Sequence, residues 1–178
     1  MTLKFVLFTV VIFCAVFSAC SNPPLEKYFG IAVLNTNLLA GFGGEGLLRE
    51  LQSPSVKLSG DDEVVTMKRI EVIDTKVQFI GETIDKLNDL KVTDDPVTAE
   101  MLRSSKDLYN FILPVYKNEY KELAKLYDDA VEPAQIETYA KSIHEKYFPE
   151  YKQLYDNLIR TGKVFADKHN IKVNWGVY

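Results

Sequence analysis

Three glycines in the first third of the chain have the spacing of a nucleotide-binding turn. Gly41, Gly43 and Gly46 fit the pattern G-x-G-x-x-G within the stretch LLAGFGGEGLL. Where that pattern binds a dinucleotide, it follows a β-strand and opens a helix, and an acidic residue about 20 residues later binds the ribose. Asp61 and Asp62 lie near that distance. The glycines therefore raise the question of a nucleotide site.

The surrounding sequence argues against that site. Residues 31–34, IAVL, are the candidate for the preceding strand, but several residues separate them from Gly41, and no later segments predict a parallel sheet. Each glycine inside a helix lowers its stability by about 1 kcal/mol relative to alanine. Because the sheet that gives this spacing its meaning is missing, we expect no nucleotide partner. Four glycines within six residues should break or loosen a helix: Gly41, Gly43, Gly44 and Gly46. We predict instead that the glycines interrupt the first helix as a hinge, a loop or a close helix contact.

Other catalytic and metal-binding patterns are missing from the sequence. His144 and His169 are the two histidines, and neither has the Glu three residues earlier that a di-metal carboxylate bundle requires. The nucleophile motif G-x-S-x-G is also absent. The paired acids fall at the ends of predicted helices, where capping explains them: Asp61, Asp62, Asp94, Asp95, Asp128 and Asp129. We expect no catalytic residues, no metal and no cofactor, and an enzyme with an unrecognised site is an alternative.

The chain begins with the features of a secretion signal. Lys4 is positively charged, residues 5–17 are uncharged and mostly apolar, and the small residues Ser18 and Ala19 precede Cys20. This apolar stretch is too short to span a bilayer comfortably, but it suits a cleaved signal peptide. An ordinary signal peptide cleaved at another site and an uncleaved N-terminal anchor are the alternatives.

The sequence Phe17-Ser18-Ala19-Cys20 resembles the lipobox of bacterial lipoproteins, although Phe17 stands where leucine is usual. The resemblance covers residues 1–20 alone. It implies that residues 1–19 are a signal peptide removed by cleavage, that Cys20 carries the lipid, and that residues 20–24 form a lipidated tether. Each buried CH₂ of an acyl chain contributes about 0.8 kcal/mol, and more than one chain gives stable anchoring.

The lipoprotein resemblance also implies a location. In that family an acidic residue after the cysteine often retains the protein in the inner membrane, and Ser21 is not acidic. The implied location is the outer membrane, with the protein facing the periplasm. The lipid would make the membrane one partner, and another envelope protein is a second candidate.

The composition excludes some other partners. The chain has 178 residues and a formal net charge of −4, with its acids spread along the sequence. It lacks the basic patch that nucleic acid binding requires. Since Cys14 would leave with the signal and Cys20 would be acylated, no thiol remains for a disulfide or a zinc site.

The apolar pattern after the signal predicts helices throughout. Asp61 and Asp62 are placed to cap the second helix, while Pro96 follows Asp95 and Pro133 opens the last helix. Short links make neighbouring helices antiparallel. We therefore predict an all-α, up-and-down four-helix bundle in a single domain over residues 25–178, ending in a docked or frayed tail. The four helical segments are about 24–52, 61–91, 96–130 and 133–168.

Two stretches of the third and fourth helices resemble each other. Residues 114–123 read PVYKNEYKEL and residues 149–158 read PEYKQLYDNL. A proline inside a helix removes a backbone hydrogen bond and bends the helix. We predict kinks at Pro114 and Pro149, at similar heights in an antiparallel pair, where they would either keep the helices packed or open a waist.

Tyrosines are concentrated in this same pair of helices: eight of the ten lie between Tyr109 and Tyr155. They pack in the core, or they line an aromatic groove for a glycan, a peptide or an apolar ligand. The candidate surface comprises Tyr109, Tyr116, Tyr120, Tyr151 and Tyr155.

The expected function is non-catalytic binding or scaffolding at the bacterial envelope. The alternative from another class is a periplasmic carrier that holds a small apolar or glycan ligand in the tyrosine-lined waist. A cavity between the tyrosines favours the carrier and a solid core there contradicts it, whereas a flat exposed apolar patch favours the scaffold.

Overall fold

The computed structural model describes residues 24–39, 41–53, 55–60, 62–91 and 94–175. Cys20 and the remainder of the lipobox-like sequence lie outside these ranges, as does Asp61.

The described chain is helical apart from one small hairpin, so the predicted all-α fold class is confirmed. The hairpin consists of β1 (Val56–Leu58) and β2 (Val64–Thr66), paired antiparallel. The α-helices are α1 (Leu25–Ala32), α2 (Glu45–Gln52), α3 (Arg69–Asp89), α4 (Pro96–Val115), α5 (Lys121–Asp128) and α6 (Pro133–Lys168). A 3-10 helix (Leu34–Leu39) lies between α1 and α2, and a π-helical segment (Tyr116–Tyr120) joins α4 to α5.

Three long helical rods form the body of the bundle: α3, the continuous stretch α4 to α5, and α6. The N-terminal segment lies along them as a broken fourth rod. The Tyr28 hydroxyl donates to the Lys91 carbonyl at one end, 3.1 Å away, and Ser105 Oγ donates to the Ala32 carbonyl at 2.9 Å. At the opposite end, Arg69 Nε donates to the Leu51 carbonyl at 3.1 Å. The segment therefore runs the length of the bundle.

The glycines interrupt this fourth rod before α2, as predicted, but the first α-helix already ends at Ala32, well before them. Gly41 and Gly43 have φ angles of 91° and 65°, which residues other than glycine rarely adopt. The Gly44 N–H donates to the Gly41 carbonyl at 3.0 Å, which closes a tight turn before α2. Residues 31–34 belong to α1, a turn residue and the 3-10 helix, so they are not the strand that the nucleotide interpretation required.

The predicted start of the second helix is wrong. The sequence predicted a helix from about residue 61, but α3 begins at Arg69, and Asp62 lies in the hairpin turn with a φ of 59°. The β-branched residues of β1 and β2 favour strands, and the turn residues between them favour a hairpin. Asp128 caps α3 from across the bundle instead, because its carboxylate accepts the N–H groups of Arg69 at 2.9 Å and Ile70 at 3.0 Å.

The next two helices begin where the sequence predicted. The Asp95 carboxylate accepts the Val97 N–H at 3.2 Å and the Thr98 N–H at 3.3 Å, and Pro96 opens α4. Pro133 opens α6. These starts were predictable because a cap and a proline act locally.

The two internal prolines differ in their surroundings. The π-helical segment begins two residues after Pro114, so the hydrogen-bonding pattern of that rod changes there. By contrast, α6 stays α-helical through Pro149, from Pro133 to Lys168. The sequence similarity of the two stretches is thus not matched by the same local helix type.

The C-terminal tail docks on the core up to the last described residue. The Trp175 ring lies 5.9 Å from the Phe29 ring in an edge-to-face arrangement, and Lys163 Nζ lies 5.5 Å from the Trp175 ring centre. Phe29 in turn stacks on Phe165 of α6 at 6.2 Å. The tail therefore covers the end of the core at which α1 begins.

Candidate functional site

The predicted tyrosine surface surrounds a phenylalanine from the glycine turn. The Phe42 ring centre lies 4.5 Å from that of Tyr151, 5.6 Å from Tyr120 and 5.8 Å from Tyr116. The Tyr116 and Tyr120 rings lie 4.9 Å apart. We call these four residues the Phe42 cluster. Tyr116 and Tyr120 belong to the π-helical segment and Tyr151 to α6, so the cluster joins three parts of the chain.

The other two predicted tyrosines border this cluster. The Tyr155 ring lies 5.8 Å from the Tyr151 ring, and Tyr109 is fully buried. Among the described residues, the hydroxyls of Tyr109 and Tyr116 have no hydrogen-bond partner. Burial raises the pKa of both well above the usual value and raises the pKa of Tyr120 to about 12. These phenols are therefore neutral at physiological pH.

The glycine turn contacts the tyrosines and α6 directly. The Gly43 N–H donates to the Tyr120 hydroxyl at 2.6 Å, and His144 Nδ1 hydrogen-bonds to the Gly43 carbonyl. A Cβ atom at Gly43 would lie 2.8 Å from the Phe148 ring. The turn needs glycine here both for its positive φ and for this close approach. The glycines and the tyrosines were singled out from the sequence for separate reasons, and the structure brings them into contact.

A carboxylate on the π-helical segment ties this assembly to α6. Glu119 accepts the Tyr139 hydroxyl at 2.9 Å and the Tyr147 hydroxyl at 2.6 Å, and Lys146 Nζ lies 3.5 Å from it. The two hydroxyl hydrogen bonds hold the pKa of Glu119 below its usual value. The π-helical segment thus contacts the glycine turn and also anchors α6.

Two cavities flank the structure, and of the five predicted tyrosines only Tyr120 lines either of them. The smaller cavity, of about 310 Å³, lies between the glycine turn and α6, with Leu48, Tyr120, Ala140 and His144 in its walls. The Phe42 ring occupies the space between the tyrosines of α6 and those of the π-helical segment. The Phe42 cluster is therefore a packed aromatic core with a cavity at its edge.

The larger cavity lies between the N-terminal segment, the residues that flank the hairpin, and α3. It has a volume of about 430 Å³ and is walled by Leu38, Met67 and Phe79. Lys76 Nζ and Glu50 Oε2 also line it, and they form an ion pair at 2.9 Å. An apolar wall with a few polar groups is typical of sites that bind a side chain or a small molecule.

The β-hairpin beside this cavity exposes its apolar side chains. Val56, Leu58 and Val64 are 61%, 67% and 66% exposed. The register places Leu58 opposite Val64 and Val56 opposite Thr66, so the three lie on one face. We call Val56, Leu58 and Val64 the hairpin face. On the other face Lys57 forms an ion pair with Glu71, which ties the hairpin to α3.

Sequence reasoning missed the hairpin face, although a local signal was present. Two runs containing β-branched residues, 56–58 and 64–66, flank a turn that contains Gly60 and Asp62. Such spacing is typical of a hairpin. Sequence reasoning also missed the role of Phe42, for which the sequence carries no local signal.

Within the described ranges, no group of three or more His, Cys, Asp or Glu side chains is arranged to hold a metal ion. None of the described helices combines the length and the apolar character that a membrane span requires. Comparisons with family models, with curated proteins and with solved structures give no match to this chain.

Proposed function

We propose that this chain is a bacterial envelope lipoprotein that binds a partner protein without catalysis. In this proposal Cys20 carries the lipid, and the protein faces the periplasm from the outer membrane. The partner docks on the hairpin face and the cavity beside it. The exposure of three large aliphatic side chains on one face of the hairpin carries the proposal.

An exposed apolar face of this kind favours a protein partner. Clustered apolar side chains on a soluble surface mark interaction sites more often than isolated ones do. Leu38 and Phe79, at the cavity, are exposed as well, at 38% and 46%. The hairpin face and the cavity together offer an apolar centre, and the Glu50–Lys76 ion pair adds a polar group to it.

The position of the hairpin supports docking away from the membrane. The proposed tether, residues 20–24, leads into α1, whose Tyr28 bonds to Lys91 beyond the C-terminal end of α3. The hairpin directly precedes Arg69, at the N-terminal end of α3. Because α3 has 21 residues, the two ends are about 30 Å apart. The hairpin face therefore lies at the opposite end of α3 from Tyr28 of α1.

The anchor is tested separately from the docking. Cells that produce the chain are fed a fatty acid with a chemical handle, and Cys20→Ala is compared with wild type. Label on the wild-type protein and none on Cys20→Ala supports the lipid, as does a wild-type protein that stays with the outer membrane. Label at another residue, or an unlabelled protein that still carries residues 1–19, contradicts it.

Docking is tested with a photo-activated cross-linker placed at single positions in intact cells. We expect a cross-linker at Leu58 to capture one defined protein. A cross-linker at Val164 is the matched control, since Val164 is an isolated side chain on α6 that is 47% exposed. The captured protein, once purified, should bind wild type and lose binding to Leu58→Lys. Equal capture at both positions, or none at Leu58, would contradict the proposal.

A second proposal is the carrier. The buried Tyr109 and Tyr116 hydroxyls support it, because unpartnered polar groups are uncommon in protein cores. The closed packing around Phe42 counts against it, because an apolar ligand with an oxygen acceptor would have to displace Phe42 to reach the Tyr116 hydroxyl. Native mass spectrometry of the protein released gently from envelopes tests this proposal: a stoichiometric bound small molecule supports it, and the unliganded mass contradicts it.

A further inference from the structure

Both outer edges of the hairpin have backbone groups without a hydrogen-bond partner among the described residues. The Met67 N–H donates to the Ser55 carbonyl at 2.9 Å, and the Ser59 N–H donates to the Glu63 carbonyl at 2.7 Å. Lys57 pairs with Val65. The residues whose backbone N–H and C=O groups point toward the other strand of the hairpin are therefore 55, 57 and 59 in the first strand and 63, 65 and 67 in the second.

The alternation of an antiparallel ladder then fixes the outward-facing positions. Val56 and Leu58 direct their N–H and C=O groups outward from β1, and Val64 and Thr66 do so from β2. No backbone hydrogen bond found among the described residues outside the helices and the strand ladder uses these four residues. An edge with free groups and exposed apolar side chains is a template for another strand.

The two edges differ in how well they suit a second copy of the same chain. A twofold axis through the β1 edge would centre on Lys57 and place it opposite Lys57 of the second copy. Like charges directly opposite each other destabilise a strand pair. The β1 edge is therefore a poor surface for self-association.

The β2 edge suits a second copy much better. A twofold axis there centres on Val65, so Val65 faces its own equivalent and Val64 faces Thr66 of the second copy. The β2 edge is thus complementary to itself in backbone bonding and in apolar contact.

We propose that two copies of this chain associate along β2, antiparallel and centred on Val65. The product is a four-stranded sheet in the order β1-β2-β2-β1. Since side chains of paired residues point to the same side of a sheet, the two hairpin faces join into one larger apolar surface. The inference depends on the hairpin geometry alone and not on the lipid anchor.

Engineered cysteines test the register in the full-length protein, purified in detergent. Val65→Cys places two thiols at a directly opposed pair of positions without mutual hydrogen bonds, where Cα atoms lie about 4.5 Å apart and a disulfide fits. We expect oxidation to convert Val65→Cys to a covalent dimer faster than it converts the control Leu58→Cys, which lies on the outer strand and keeps Lys57. The wild-type protein measures any background dimer formed through Cys14 or Cys20. Equal rates, a faster reaction of Leu58→Cys, or no dimer from Val65→Cys would overturn the proposal.

Proline variants test the edge without changing the hairpin ladder. Thr66→Pro and Leu58→Pro each remove an N–H that points outward, the first from β2 and the second from β1. Sedimentation should show a dimer for wild type and for Leu58→Pro. The dissociation constant of the Thr66→Pro dimer should be about tenfold higher or more, because one pair of hydrogen bonds is lost. Circular dichroism confirms that both variants remain helical.

A dimer in Thr66→Pro that is as tight as wild type would overturn the β2 assignment, and so would a monomeric wild type. Neither result bears on the docking proposal, because docking is measured by cross-links to a different protein. The two proposals therefore fail independently.

Discussion

The Phe42 cluster and the hairpin face differ both in residue type and in exposure to solvent. The cluster is rich in aromatic side chains and is closed, with Phe42 only 2% exposed. The hairpin face consists of aliphatic side chains, each more than 60% exposed. Tyrosine is enriched at interfaces because its ring is apolar and its hydroxyl is polar, but the same properties suit a boundary between packed helices.

The difference between them lies in what the rest of the chain does. The glycine turn places Phe42 between the tyrosines, and the Gly43 N–H donates to the Tyr120 hydroxyl. The apolar and polar groups of this region therefore find their partners within the chain. The hairpin is tied to the bundle by Lys57 and Glu71 on one face, and its other face has no covering element in the described chain. The exposure of the hairpin face, and not the concentration of aromatic residues, is therefore the basis of the proposed binding surface.

The largest expected difference in stability is between truncation of Phe42 in the cluster and truncation of Phe79, which lines the cavity beside the hairpin face. Phe42→Ala removes a buried ring and should lower the free energy of unfolding by about 3–5 kcal/mol. Phe79→Ala removes a ring that is 46% exposed, and its loss should be about 1 kcal/mol or less. Urea denaturation followed by circular dichroism measures both. Similar losses would show that Phe42 does not hold the cluster closed.

A pair of glycine variants asks whether the turn itself is under constraint. Gly43→Ala places a Cβ atom 2.8 Å from the Phe148 ring at a φ of 65°, so we expect a loss of about 2–3 kcal/mol. Gly81→Ala is the matched control in α3, where a Cβ atom meets nothing within 4 Å. It should raise stability by about 0.5–1 kcal/mol. Effects of the same sign in thermal denaturation would contradict this account of the turn.

Local features of these regions were predictable from the sequence, whereas their contacts were not. The break at the glycines and the helix start at Pro96 follow from backbone preferences of a few adjacent residues. The packing of Phe42 against Tyr151 joins residues far apart in the chain, so no local pattern encodes it. The hairpin was missed for a different reason, since the acidic pair before the helix was interpreted as its cap. Asp128 provides that cap from another rod, which local reasoning does not reveal.

The Glu119 carboxylate, beside the Phe42 cluster, should make the free energy of unfolding depend on pH. Glu119→Gln weakens the hydrogen bonds from Tyr139 and Tyr147 and should lower stability by about 1–2 kcal/mol at pH 7. The folded state lowers the pKa of Glu119 below its usual 4.5. Its contribution is therefore complete above that usual value and is lost as the pH falls through the folded pKa.

The gap between wild type and Glu119→Gln should accordingly be constant from about pH 6 to pH 8 and shrink below about pH 4. Glu122→Gln is the control, because Glu122 makes one exposed ion pair with Lys125 and should change stability by less than about 0.5 kcal/mol. Urea titrations at each pH measure the gap. A gap that widens on acidification would contradict the assigned direction of the Glu119 pKa.

A substitution on the hairpin face should have the smallest effect on the free energy of unfolding. Leu58→Thr keeps the strand preference but removes exposed apolar area, so the free energy of unfolding should change by less than about 0.5 kcal/mol. Loss of partner binding with unchanged stability would separate a binding surface from a structural one. A loss of more than about 2 kcal/mol would mean that the hairpin face is covered within the protein, as Phe42 is. The contrast between the two regions would then disappear, because both would be internal packing surfaces.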